Sequence, residues 1–334
     1  MAKRATKRPK ARAVSEKRMS RKKQKPSPVE PVGTTHVTGA TEENVVPLSS
    51  LHARPARALV GWLSSDVAQS LLAGPTCPPP YSPEIVKRAE RSFAAVARRI
   101  PLAASPTRIT DAPKELADHI KELEAQPFYR PFLKEGWRVR MADLRCVRAL
   151  QTLIHCDHAD ERTRLAIADD LASLAAITIP ISRPKELVAI ESSPDGRRWT
   201  LTCRNPQLRI LAPYSADLDD TGYKTKVFGF QTELSHSLVQ VVHWRGVNVL
   251  RDGYHRAYGL LARGIVSVPV VYRELPDNQL PALGPSIFDP LVYLGDRPPL
   301  LTDYLDDQVS ARVEVRRLQK TFVVQAVEID SPVL

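Results

Sequence analysis

The chain lacks any apolar run approaching the ~18 residues that a membrane-spanning helix requires, so no transmembrane segment is expected. Its start is basic but no apolar stretch follows, which speaks against a secretory leader. Cysteine is scarce. Cys77, Cys146, Cys156 and Cys203 are scattered with no Cys-x-x-Cys pair, so reduced thiols in a cytoplasmic compartment are expected. Neither a GxxxxGK[S/T] loop nor a GxGxxG turn occurs, so the Walker and Rossmann phosphate loops are excluded.

What is present is charge, unevenly placed. Residues 1–25 hold twelve Lys or Arg against one acid, Glu16, which accounts for the whole formal charge of +11. The folded body is therefore expected to be neutral overall and offers no bulk attraction for DNA. Residues 1–45 are rich in Lys, Arg, Pro, Ser and Thr without apolar periodicity, so this basic tail is expected to be disordered. It reads as a solubilising tail, as a tether for DNA or RNA through residues 1–25, since clustered cations displace phosphate counterions whatever the sequence, or, in a eukaryotic source, as a nuclear-import signal. A nucleoid-associated location is the corollary of the second reading.

Residues 46–177 are expected to be mainly helical. Ser82-Pro83-Glu84 opens a helix to about Arg99, with Pro suited to the first helical position. Further helices are expected over Lys114–Glu124, over Ala142–His155 with Leu144, Val147, Leu150 and Ile154 on one face, and from Asp160 to Ala175 with Leu165, Ala168 and Leu171 inward. From 178 to 334 the pattern turns mixed. Ile177–Ile181, Leu187–Ile190, Trp199–Cys203 and Leu208–Leu211 are short β-prone runs, and Val313, Val315 and Phe322–Ile329 read as a closing hairpin. The expected fold class is α+β: a helical N-terminal half followed by a mixed α/β domain.

The most informative stretch is Ser237–Tyr272. Leu238–Val242 and Val247–Leu250 read as strands joined by a turn at Arg245-Gly246; Asp252-Gly253 breaks the second strand, and His255–Arg263 forms a helix stopped by Gly264. Val266–Tyr272 is a further strand. First-turn amides of such a helix have no intrahelical acceptor, and its dipole adds positive potential. Glycine at 253 lets a phosphate approach the backbone, Arg256 supplies a planar fork, and His255 a hydrogen bond or a proton.

The segment VLRDGYHRAYGLLARGIVSVPVVY (249–272) resembles the nucleotide-binding motif of the ParB/sulfiredoxin superfamily. That resemblance implies a nucleotide-phosphate site at Asp252, Gly253, Tyr254, His255 and Arg256, with Mg²⁺ accompanying ATP or CTP. Sulfiredoxins place a catalytic cysteine just before His-Arg; Tyr254 stands there, so that chemistry is not implied. Two alternatives stay open: a phosphotransferase or nuclease using the same turn, with His255 or Glu233 as its catalytic group, and a non-catalytic interaction protein in which Asp252 merely caps a helix.

Other features carry less. His155-Cys156-Asp157-His158 has ligand-type residues but no second pair at zinc spacing, so a helix end and polar loop are expected rather than a metal. Asp217, Asp219 and Asp220 read as an acidic turn, and His236 and His243 flank a strand as structural residues.

Overall fold

A computed structural model of the chain describes residues 53–102, 108–182, 188–203, 208–218, 225–234, 236–278, 288–316, 320–325 and 327. The basic tail therefore lies outside the described residues. In chain order the strands are β1 (Ala53–Ala58), β2 (Ile109–Asp111), β3 (Arg138–Asp143), β4 (Leu153–His155), β5 (Ala189–Ser192), β6 (Arg198–Cys203), β7 (Leu208–Leu218), β8 (Thr225–Leu234), β9 (Gln240–Trp244), β10 (Val247–Asp252), β11 (Ser267–Glu274), β12 (Ala311–Arg316) and β13 (Lys320–Gln325). The helices are α1 (Ser65–Ala73), α2 (Pro83–Ala97), α3 (Ala117–Ala125), α4 (Arg130–Lys134), α5 (Cys156–Thr163), α6 (Leu171–Thr178), α7 (Tyr254–Ala262) and α8 (Pro290–Tyr293). The class is α+β.

The central sheet has the order β10-β9-β11-β3-β2. Strand β11 runs parallel to β9 and antiparallel to β3, and Val268, Pro269, Val270 and Val271 along it are buried or nearly so because the sheet is covered there. Arg245 (φ 49°) and Gly246 (φ 76°) both adopt the left-handed region, the two-residue turn whose twist matches a β-hairpin. The β9–β10 ladder then carries a bulge. Leu250 pairs with Val241 and Asp252 with Gln240, leaving Arg251 as the extra residue, its guanidinium carbon 5.4 Å from the centroid of the Trp137 ring. Three smaller sheets accompany it: β12-β1-β4, β13-β6-β5 and β7-β8.

Several expectations need correction. Residues 46–177, expected to be mainly helical, also carry strands: β2 and β3 join β11 in one sheet, which crosses the boundary expected at 177/178. The helix expected over Ala142–His155 is instead the end of β3, a 3₁₀ turn at Leu144–Cys146 and strand β4. Leu144, Val147, Leu150 and Ile154 are indeed buried, but the Asp143 carboxylate accepts from the Arg145 amide (3.0 Å) and turns the chain early. The helix expected from Asp160 to Ala175 is two helices. Asp169 sits at φ 65°, and Asp170 caps α6 by accepting from the amides of Ala172 and Ser173, which leaves Leu165 exposed. Ile177–Ile181 is no strand but the end of α6 and its exit. Among the described residues the expected closing hairpin does not form, since β12 pairs with β1 and β13 with β6. The helices beginning near Ser82 and Lys114 form as expected, the latter through a 3₁₀ turn at Lys114–Leu116.

Two contacts position α7. Gly259 faces α5 so closely that a Cβ there would lie 2.5 Å from Thr163 Oγ1 and 2.8 Å from the Ala159 carbonyl oxygen. Tyr254, at the first position of α7, is fully buried; its hydroxyl accepts from the Leu150 amide (2.8 Å) and donates to the Leu250 carbonyl. Burial pushes its phenol well above the usual range, so it remains a donor. Replacing Tyr254 with Phe strands both backbone groups in the core, a loss of about 1–3 kcal/mol. Urea unfolding is expected to show the midpoint falling accordingly at constant slope; an unchanged midpoint would remove Tyr254 from this role.

Candidate functional site

The Asp252–Arg256 turn forms as a strand end, a left-handed glycine and a helix start. Gly253 is the N-cap of α7 at φ 93°, and an added Cβ would meet Val239 Cα at 2.8 Å, so only glycine fits both the dihedral and the space. The Gly253 amide donates to Asp252 Oδ1 (2.7 Å), and Ser237 Oγ donates to Asp252 Oδ2 (3.3 Å). Ala257 donates to the Gly253 carbonyl (2.9 Å), closing the first turn. The amides of Tyr254, His255 and Arg256 have no acceptor among the described residues.

Arg256 is not the surface fork its sequence position implies. It is buried, and its Nη1 donates to the carbonyls of Ser237 (2.7 Å), Ile177 (3.0 Å) and Thr178 (3.5 Å), while Nη2 donates to Ser237 Oγ (2.6 Å). Its Nε is buried with no hydrogen-bond partner. Desolvation lowers this guanidinium to about 10, opposed by Asp252, so it keeps its charge at neutral pH. Tyr254 lies in the core as described.

His255 meets two histidines from 97 to 100 residues upstream in the chain. Its ring centroid is 5.5 Å from that of His155, nearly parallel, and 5.6 Å from that of His158. His155 caps α5 and His158 lies in its first turn, so the His155–His158 segment starts a helix rather than ending one. Burial first, and then the Arg54 charge, hold His155 and His158 at about 4; Arg162 adds to the effect on His158. Burial and its histidine neighbours push His255 well below the usual imidazole range. His255 Nε2 and His155 Nδ1 are buried without a hydrogen-bond partner. Among the described residues, no group of three or more His, Cys, Asp or Glu is placed to hold a metal ion.

A cavity of about 100 Å³ opens here, lined by Gln151, His158, Arg162 and Ser237 together with the turn Asp252–Arg256. Gln151, His158 and Arg162 were not singled out as site residues from sequence. The spacing of His158 and Arg162 at i and i+4 would have shown a shared helical face once α5 was started at Cys156. Glu233 is not brought to the cavity; it sits on β8 opposite Arg209. Asp217 lies on β7, and 219–224 fall outside the described residues. His236 stacks on Phe128, with centroids 3.5 Å apart. A larger cavity of about 450 Å³, among Trp199, Leu201, Phe230 and Phe322, is lined by no ionisable group.

The histidine cluster has a stability signature. Below about pH 6.5 the unfolded chain protonates these imidazoles, whereas His155 and His158 in the folded chain stay neutral until about pH 4. Unfolding then takes up protons, so stability falls as pH falls through that window. Melting temperatures of wild type and His155→Gln/His158→Gln are expected to converge in slope above pH 6.5 and diverge below it, the variant losing less. Parallel profiles from pH 7 to 4 would show that burial does not hold these rings neutral. No protein-family model, curated protein or solved structure matches the chain.

Proposed function

We propose that the N-terminus of α7 binds a phosphate group, as the nucleotide-phosphate turn of a ParB/sulfiredoxin-like protein would. The observation that carries this reading is the buried Arg256 Nε without an acceptor, beside a cavity toward which three helix amides are also unsatisfied. A buried N–H without a partner costs about 1–3 kcal/mol, and a bound oxyanion removes that cost. Arg256, Arg162 and the helix dipole favour an anion, and the Asp252 carboxylate opposes it.

Volume limits the ligand. Whole small-molecule sites run to roughly 300–1,000 Å³, whereas this cavity holds about 100 Å³. One phosphate enters; the sugar and base of ATP or CTP, and any Mg²⁺, remain outside it. Binding is favoured over turnover by the histidines themselves. A general base works best near the operating pH, and imidazoles held at about 4, as His158 is, or pushed by burial well below the usual range, as His255 is, are weak bases at neutral pH. The phosphotransferase and nuclease readings thus draw no support from His255. Residues 1–25 would add a sequence-independent attraction for DNA or RNA.

Calorimetric titration with pyrophosphate, ATP and CTP, with and without Mg²⁺, tests the reading. Loss of the Arg162→Ala charge is expected to weaken binding about tenfold, or ~1.4 kcal/mol. Asp252→Asn keeps an oxygen for the Gly253 amide but removes the opposing charge, and is expected to tighten it. Deleting residues 1–25 removes tail attraction from both comparisons. Affinities indifferent to both substitutions would end the phosphate reading.

A further inference from the structure

A second polar cluster lies across the central sheet, and it shares no lining residue with the α7 cavity. Its placement follows from register. Asp111 on β2 pairs with Arg140 on β3, which pairs with Val270 on β11. Tyr272 and Glu274 follow Val270 at two-residue steps and therefore occupy the same face. Glu274 lies beside His243 on β9, and His243 opposite Asn248 on β10. One polar row thus crosses all five strands. It borders a cleft of about 560 Å³ that Ile109 and Thr110 complete, a volume suited to a small ligand.

Two of the cleft's donors are engaged internally. Arg140 is ion-paired with Asp111. The Tyr272 hydroxyl donates its one proton to Glu274 Oε1 (3.2 Å), and burial, reinforced by the Glu274 charge, holds that phenol at about 12, so the proton stays on. His243 Nδ1 is 2.9 Å from Oδ1 of the buried Asn248; with that oxygen as acceptor Nδ1 carries a proton, and in the neutral ring Nε2 is then an acceptor. Nothing among the described residues occupies Nε2 or the second oxygen of Glu274. Two carboxylates against one guanidinium leave the lining with net negative charge.

We infer that this cleft binds a small organic cation with a primary ammonium group, whose protons Glu274 and His243 Nε2 accept. The ring of Tyr272 forms a wall for the alkyl chain and a face for the charge. Such a group comes either from a free amine or from a lysine side chain.

The test is titration of the full chain with putrescine, with Nα-acetyl-lysine amide and with butyrate as the anionic counterpart. Saturable binding of one or both amines is expected, with Glu274→Gln and His243→Phe each weakening it at least tenfold and Asp195→Asn, a carboxylate in the turn between β5 and β6, leaving it unchanged. A preference for putrescine identifies a free amine as the ligand class; equal or tighter binding of the lysine derivative identifies a side chain. Glu274 is exposed, so Glu274→Gln keeps the test decisive if His243→Phe does not fold. Absence of saturable binding by both amines, equal binding of butyrate, or indifference to Glu274→Gln would overturn the inference.

Discussion

The guanidinium of Arg256 ties three separate stretches of chain at one point: the C-terminal carbonyls of α6 at Ile177 and Thr178, the Ser237 carbonyl ahead of β9, and the first turn of α7 that carries it. A helix C-terminus is a favourable place for a cation, because its last carbonyls lack intrahelical donors and sit at the negative end of the dipole. With Val239 donating to the same Thr178 carbonyl (2.7 Å), α6 is held against the start of β9. Gly253 can then lie on Val239 without a side chain between them. Removing the charge would leave three buried carbonyls with one fewer donor and loosen the cradle of the turn.

That arrangement changes what the Arg256 side chain does. A surface arginine would reach out to grip a phosphate with both Nη atoms. Here both are engaged by the protein, and only Nε is without a partner. The positive charge is held at a fixed place beside the cavity, so a proposed anion there would cost this side chain no further entropy. The histidines beside it stay neutral for the same reason that they are useful as packing: burial and neighbouring arginines both oppose a further positive charge.

The local part of this was legible in the chain. Asp252-Gly253 breaks a strand, Gly264 (φ 78°) stops the helix, and Arg245-Gly246 makes the hairpin, each through chemistry contained within a few residues. What converges on the turn was not legible. Ile177 and Thr178 lie more than seventy residues upstream of Arg256, and His155 and His158 about a hundred residues upstream of His255. No periodicity within α7 signals them. The misread helix over Ala142–His155 has a related cause: its apolar residues are spaced as a helix would space them and are buried, but by an irregular segment that hydrogen-bonds to β10 through Arg148 and to Pro299 and Leu301 through Ala149 and Val147. Strand β1 gave little sign of itself because its inward residues include only alanine and no larger apolar side chain beyond Arg54's stem.

The bulge at Arg251 sets the parity of β10. Asn248 and Leu250 share one side of the sheet, and an unbroken strand would put Asp252 there as well. The single extra residue pairs Asp252 with Gln240 instead and turns it to the other side. Asp252 and the polar row through His243 therefore lie on opposite sides of the sheet, although one strand carries residues of both. Any ligand of the one would then approach from the side of the sheet opposite to any ligand of the other.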